Sequence, residues 1–180
     1  GNFVLVCFNG LVDKNAEAAA YPGMSAEIAK RSFHGSFMTD LELFDASFFK
    51  IAPAEAAAMD PQQRLLLESV HMALQDAGLT RESVQGRRCG VYVGMAAGGA
   101  ASGGSDKAQA MSVYSANSGT ASTAAGRISF LFDLHGPCAA YDTACSSSLV
   151  ALQAALSALQ RGECELALVA GVHAMTNELP

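Results

Sequence analysis

Apolar positions along the chain change period several times, and the changes predict alternating strands and helices. "NFVLVCF" (2–8), "RRCGVYVG" (87–94), "CAAYD" (138–142) and "ECELALVAGV" (163–172) are short continuous apolar runs, read as strands. The last has the unbroken apolar character of a strand covered on both faces of a parallel sheet. Between these runs the period becomes helical. In "DPQQRLLLESVHMALQDAG" (60–78), Leu66, Val70, Ala73, Leu74 and Ala77 fall on one face. Asp60 suits the N-cap, Pro61 the first turn, Gln63 the third position of a capping box, and Gly78 the stop. "SGTASTAAGRISFLFDLHG" (118–136) is read as a helix with small residues on one side, ended by Gly136-Pro137. "SSLVALQAALSALQRG" (147–162) is read as a third, stopped by Gly162. Strand and helix alternating over short connections predict an α/β layered architecture.

Other stretches are less regular. "NGLVDKNAEAAAYPG" is loop-like or weakly helical. "FDASFFKIAPAEAAAMD" sets Phe44, Phe48 and Phe49 as aromatic anchors before an alanine-rich helical turn. "GMAAGGAASGGS" (94–105) is too rich in glycine for an element interior. It lacks the lysine and spacing of a phosphate loop, so a surface or interface loop is expected. Gly126 and Arg127 are read as architectural, Arg127 as a buried salt-bridge partner. No repeat occurs at solenoid periods.

Composition narrows the picture. Of 180 residues, 51% are hydrophobic and 16% charged, with no tryptophan. About a quarter charged is usual for a soluble domain. Much of the surface is therefore expected to be covered by other layers of protein. A net charge of −6 argues against a nucleic-acid partner, which calls for a basic face. No apolar run reaches the ~18 residues of a membrane span. Five cysteines (Cys7, Cys89, Cys138, Cys145, Cys164) form no C-x-x-C pair and fit no zinc spacing. With no signal-peptide pattern, they are expected to be reduced thiols in a cytoplasmic protein. Cys138 and Cys164 are read as core or interface residues.

Cys145, in "YDTACSSSLVAL", stands where a strand turns into a helix. That helix is apolar on nearly every face, so it is expected to lie buried between layers, with its N-terminus in a protein-lined pocket. Unpaired N–H groups and the positive end of the helix dipole favour an anion there. Ser146, Ser147 and Ser148 are expected to cap the helix, Asp142 and Thr143 to shape the turn, and Ala144 to leave room for a close approach. The backbone N–H of Cys145 is placed to face an oxyanion. A thiol nucleophile usually works with an imidazole. Spacing assigns none of His34, His71, His135 or His173 to that part. An α/β-hydrolase reading would want glycines flanking the nucleophile, and "TACSS" has none.

Four segments, "FDASFFKIAPAEAAAMDPQQRLLLE", "AGRISFLFDLHGP", "DTACSSSLVALQAAL" and "LQRGECELALVAGV", together resemble the N-terminal half of a β-ketoacyl synthase. They are most similar to the ketosynthase domain of modular type I polyketide synthases. The resemblance runs from about residue 33 to 175, with 1–32 matching poorly and 33–180 standing for the N-terminal half of the domain. It implies a thiolase-like fold of α-β-α-β-α layers, of which this chain supplies mainly the first half. It implies that Cys145 takes an acyl chain from the phosphopantetheine of an acyl carrier protein. Decarboxylative condensation with a carrier-bound malonyl group then follows, with no cofactor or metal bound by the domain itself. It also implies a homodimer through the strand near Cys138–Asp142, a C-terminal half and further synthase domains as partners.

The family's catalytic histidines and lysine, in an H-G-T-G-T segment and a later one, have no counterpart in these residues. The usual G-M-x-C-R-F-P-G-like opening is also absent. A fragment, inactive by itself, is therefore expected. The competing reading is a non-catalytic half-domain that scaffolds a dimer, against which the intact "DTACSSS" weighs.

Overall fold

The computed structural model describes residues 2–11, 41, 43–96, 114 and 119–175. Among the described residues, four strands form one sheet: β1 (Asn2–Leu11), β2 (Cys89–Met95), β3 (Cys138–Tyr141) and β4 (Leu166–Met175). Their order is β1-β4-β2-β3, and every pairing is parallel. Each predicted strand forms. The central pair is apolar on both faces, as the unbroken runs required: β2 is buried along its whole length, and β4 from Leu166 to Val172. The expected loops at 9–23 and beyond residue 96 lie outside the described residues, except for the end of β1.

Two unlike helical layers cover the sheet. On one face lie α1 (Pro53–Ala58), α2 (Pro61–Asp76), the single turn α3 (Arg81–Val84) and α4 (Ala121–Leu131). Leu66, Leu67, Val70 and Leu74 of α2 and Ala124, Ala125 and Ile128 of α4 pack against Val91, Val93, Leu168, Ala170 and Val172. Burying a leucine or valine fully is worth roughly 1.5–3 kcal/mol, so this face carries most of the core. On the other face, α5 (Ser147–Gln160) is the only helix among the described residues. Its Ala151, Ala155 and Ala158 meet Tyr92, Ala167 and Val169. Small residues at i, i+4 and i+7 bring this helix close to the strands.

Helix ends follow local chemistry. α2, α4 and α5 all close with the same pair of bonds, from the first and second residues past the cap back to the last turn. In α2 and α5 the residue at positive φ is glycine, Gly78 and Gly162, both at +70°. In α4 it is Asp133, at +52°. The helix expected to reach Gly136 therefore stops at Leu131. Aspartate tolerates the left-handed region better than most residues, and no glycine marks the stop. The Arg81 guanidinium donates to the carbonyl of Leu131, placing a cation at the end of α4.

Asp60 caps α2 as expected, accepting from Gln62 N–H at 2.7 Å. Gln63 does not complete a capping box. Its amide accepts from Arg127 Nε at 3.2 Å, and Arg127 also pairs with Glu55. Arg127 is thus the salt-bridge partner expected, tying α4 to α1 and α2. Gln62 is buried, and its Oε1 accepts from Ala174 N–H at 3.0 Å, joining α2 to the end of β4. Phe49 is buried between Phe44, stacked at 5.2 Å, and Phe48, edge-on at 5.0 Å. Phe48 is half exposed and meets His71 at 4.8 Å, so the anchor role falls mainly on Phe49.

The second oxygen of Asp60, Oδ2, is buried with no partner among the described residues. Burial pushes its carboxyl above the ordinary 3.8, against the Gln62 bonds and the Arg64 charge that pull it down. Between 3.8 and the raised value the native state holds more protons than the unfolded one. Stability contributed by this group therefore falls as pH rises through that window. Asp60→Asn keeps an oxygen for the cap and carries no charge. We expect it to gain stability relative to the parent as pH rises from below 3.8 to neutrality, read from denaturation midpoints across a pH series. A difference that stays constant with pH would refute the desolvation.

Candidate active site

Cys145 lies past the carboxyl edge of β3, two residues before α5, and its side chain is exposed. The protein-lined pocket expected around it is not formed by the described residues. Leu149 is 68% and Leu156 45% exposed. The helix expected to be buried all round thus covers the sheet with its alanine face and turns leucines outward. The reason is that one sheet offers it one surface, whereas its composition suits two.

The turn itself is tightly specified. Ala144, just before the cysteine, has φ of +54°. For a residue with a Cβ the left-handed region costs roughly 1–2 kcal/mol, so neighbouring contacts must hold it there. Asp142 Oδ1 accepts from Ala144 N–H at 3.3 Å. Ser147 Oγ accepts from Thr143 N–H at 2.8 Å and donates to the Ala144 carbonyl at 2.7 Å. Ser146 Oγ donates to the Thr143 carbonyl at 2.8 Å and stands 2.9 Å from Thr143 Oγ1. Asp142 and Thr143 shape the turn, as expected. The serines do something other than cap: Ser146 occupies the N-cap position but makes no side-chain cap bond. Both Ser146 and Ser147 direct their hydroxyls back to the turn.

What seats this turn on the sheet is a pair of glycines that the sequence reading passed over. Gly94 of β2 and Gly171 of β4 are register partners in neighbouring strands. A Cβ on Gly94 would lie 2.5 Å from Ser147 C and Ser148 N, and one on Gly171 would lie 2.7 Å from Ser148 Cβ. The two form a notch into which the first residues of α5 descend. Glycine inside a strand is a signal of close backbone approach, and "GVYVG" and "VAGV" carried it.

The histidines are dispersed. His71 packs on Phe48. His135 is exposed and bonds Asp133 at 3.0 Å. His173 is exposed on β4, one position beyond Val172, the partner of Met95. His34 lies outside the described residues. Among the other thiols, Cys89 and Cys164 are buried, and burial pushes Cys89 up to about 12. Cys138 is exposed on β3 rather than in the core, and desolvation also raises its thiol. Among the described residues no cluster of histidine, cysteine and carboxylate side chains could hold a metal ion. No helix among them is long and apolar enough to cross a membrane.

This arrangement has known relatives. The family model of the β-ketoacyl synthase N-terminal domain matches residues 8–180, beginning within β1. The phenolphthiocerol synthesis type I polyketide synthase Pks15/1 of Mycobacterium bovis is 46% identical over 154 residues, covering 86% of this chain and 7% of that protein. Erythronolide synthase EryA2 of Saccharopolyspora erythraea is 44% identical over 143 residues, 79% of this chain and 4% of its own length. This chain therefore spans less than a tenth of these relatives. The oxazolomycin ketosynthase domain OzmH KS7 of Streptomyces albus JA3453 superposes with a TM-score of 0.73 at 33% identity, over 94% of this chain and 28% of that one. The module 6 ketosynthase of the bacillaene synthase from Bacillus subtilis 168 gives 0.64 at 38%, over 77% and 22%. With a thiolase-like α/β fold and a family match over nearly its whole length, the chain belongs to the β-ketoacyl synthases and carries their N-terminal domain.

Proposed function

We propose that Cys145 is the acyl-accepting nucleophile of a polyketide synthase ketosynthase. The observation that carries this reading is an exposed cysteine directly after a left-handed alanine, at the head of a helix seated on the Gly94–Gly171 notch. The turn leaves the Cys145 side chain exposed past the carboxyl edge of the sheet, while the N–H groups of Thr143, Ala144, Ser146 and Ser147 are bonded within the turn.

In the proposed reaction, the Cys145 sulfur attacks the thioester carbonyl of an acyl group borne on the phosphopantetheine of an acyl carrier protein. The Cys145 N–H donates to the oxyanion, a type of contact typically worth ~10²–10³ in rate. The intermediate collapses with loss of the pantetheine thiol, which leaves with the proton. A malonyl group on a carrier then loses CO₂, and the resulting carbanion attacks the acyl-cysteine carbonyl. The product is a β-ketoacyl thioester on the carrier, with the cysteine free again. The domain itself needs no bound cofactor for these steps. The partners in this reading are the carrier, the second half of the ketosynthase, further synthase domains and a second copy joined along β3. β3 supports the last of these by standing at the sheet edge with Cys138 exposed.

The test is to incubate the native full-length gene product with an acyl-pantetheine thioester, digest it and map the adduct by mass spectrometry. We expect the acyl mass on the peptide containing Cys145. An unmodified Cys145 peptide would refute the reading in favour of the scaffold.

A further inference from the structure

We infer that Ser147 is a positioning residue whose hydroxyl locks the Ala144 turn and so aims the Cys145 sulfur at its substrate; this rests on Cys145 being the nucleophile. Ser147 is 6% exposed, and its Oγ makes two bonds that enclose the left-handed residue. It accepts from the N–H of Thr143, the residue before Ala144, and donates to the carbonyl of Ala144 itself. Rotating Ala144 to negative φ would move these two groups apart and break both bonds. Ser147 cannot follow them, because its own backbone lies against Gly94. The hydroxyl is thus fixed from below by the sheet and fixes the turn above it. The flanking serine is differently placed: among the described residues Ser146 Oγ bonds Thr143 and not the Ala144 carbonyl.

A lock of this kind is needed only because residue 144 is alanine. Glycine populates positive φ about as readily as negative. The two positions should therefore be coupled, which a purely space-filling Ser147 would not produce.

The experiment measures acyl transfer from an acyl-pantetheine thioester to Cys145 in the native full-length gene product. It compares the parent, Ser147→Ala, Ala144→Gly and the double variant. Modification of Cys145 by iodoacetamide is followed alongside. We expect Ser147→Ala to lower the maximal rate of acyl transfer about 10–100-fold, the scale of a misplaced reacting group. The half-saturating thioester concentration should stay within about threefold, since the thioester is not held by this hydroxyl. Iodoacetamide, which needs an accessible thiolate but no aligned thioester, should react within about threefold of the parent. The double variant should return to within about threefold of Ala144→Gly.

Parental acyl transfer in Ser147→Ala would overturn the inference, as would a double variant no better than Ser147→Ala. If Ser147→Ala alone does not fold, the double variant decides. Folding and acylation near the Ala144→Gly rate support the lock, and failure of either overturns it. The parent separates this inference from the reading beneath it: no acylation of Cys145 there removes the nucleophile itself, whatever Ser147 does.

Discussion

Cys145→Ala is expected to abolish acyl-enzyme formation, lowering it by about 10⁴-fold or more, as loss of a covalent nucleophile does elsewhere. Its thermal midpoint should stay within about 2 °C of the parent, because substitutions at exposed sites outside special contacts usually change stability by less than ~0.5 kcal/mol. Cys145 is exposed, belongs to neither apolar cluster and holds no part of the turn through its side chain. Activity and stability should therefore separate cleanly. Residual acylation would have to come from another thiol. Cys89 and Cys164 are buried, and the Cys89 thiol is pushed up to about 12, so it stays protonated at neutral pH. Cys138 is the other exposed thiol among the described residues, and desolvation raises it too. Parental acylation of Cys145→Ala, measured by intact mass after incubation with an acyl-pantetheine thioester, would transfer the nucleophile to another cysteine.

Gly94→Ala is expected to combine a large loss of stability with loss of acylation. The new methyl would meet Ser147 C and Ser148 N at 2.5 Å and Ser147 O at 2.7 Å. All three are backbone atoms, so no side chain can swing aside. Either α5 lifts from the sheet or β2 bends, and overpacking of this kind costs about 1–3 kcal/mol, at times more. Lifting α5 also carries the Cys145 turn with it. Gly126→Ala is the control. Gly126 lies in α4 with nothing within 4 Å of its added methyl, contrary to the architectural role its place in "AGRIS" suggested. There alanine should stabilise by about 0.5–1 kcal/mol through helix propensity. Denaturant unfolding of both variants checks the pair. Equal effects would mean that the Gly94–Gly171 notch does not seat the helix.

These contrasts show which parts of the molecule could be read from its sequence. The start and stop of α2 were legible in Asp60, Pro61 and Gly78, because capping is chemistry between residues a few positions apart. The parallel sheet was legible in the unbroken apolar run of β4. The end of α4 was not, since Asp133 performs the part normally taken by glycine. Gln63 had the right spacing for a capping box, but Arg127, 64 residues on, took its amide. The identity of the nucleophile candidate was legible in "DTACSSS". Its support was not: the contact of Gly94 with residues 147 and 148 depends on how three separate segments meet. The exposure of Leu149, Leu156 and Cys145 escaped prediction for a related reason. Composition tells how much apolar surface a helix carries, but not how many neighbours are present to cover it.

The strand order also dictates when the sheet can be finished. Asn2 pairs with Leu166, and β4 lies between β1 and β2. During synthesis the earliest of these four strands must therefore wait for the last of them before it finds its partner among the described strands. β2 and β3 can pair earlier, since both precede β4 and residues 96–137, 42 in all, join them. Closing so long a loop in a parallel sheet makes for slow folding and leaves unpaired strand edges open to aggregation. A nascent chain halted before Leu166 should therefore hold α2 and α4 over a two-stranded remnant, with β1 still unpaired and in need of protection.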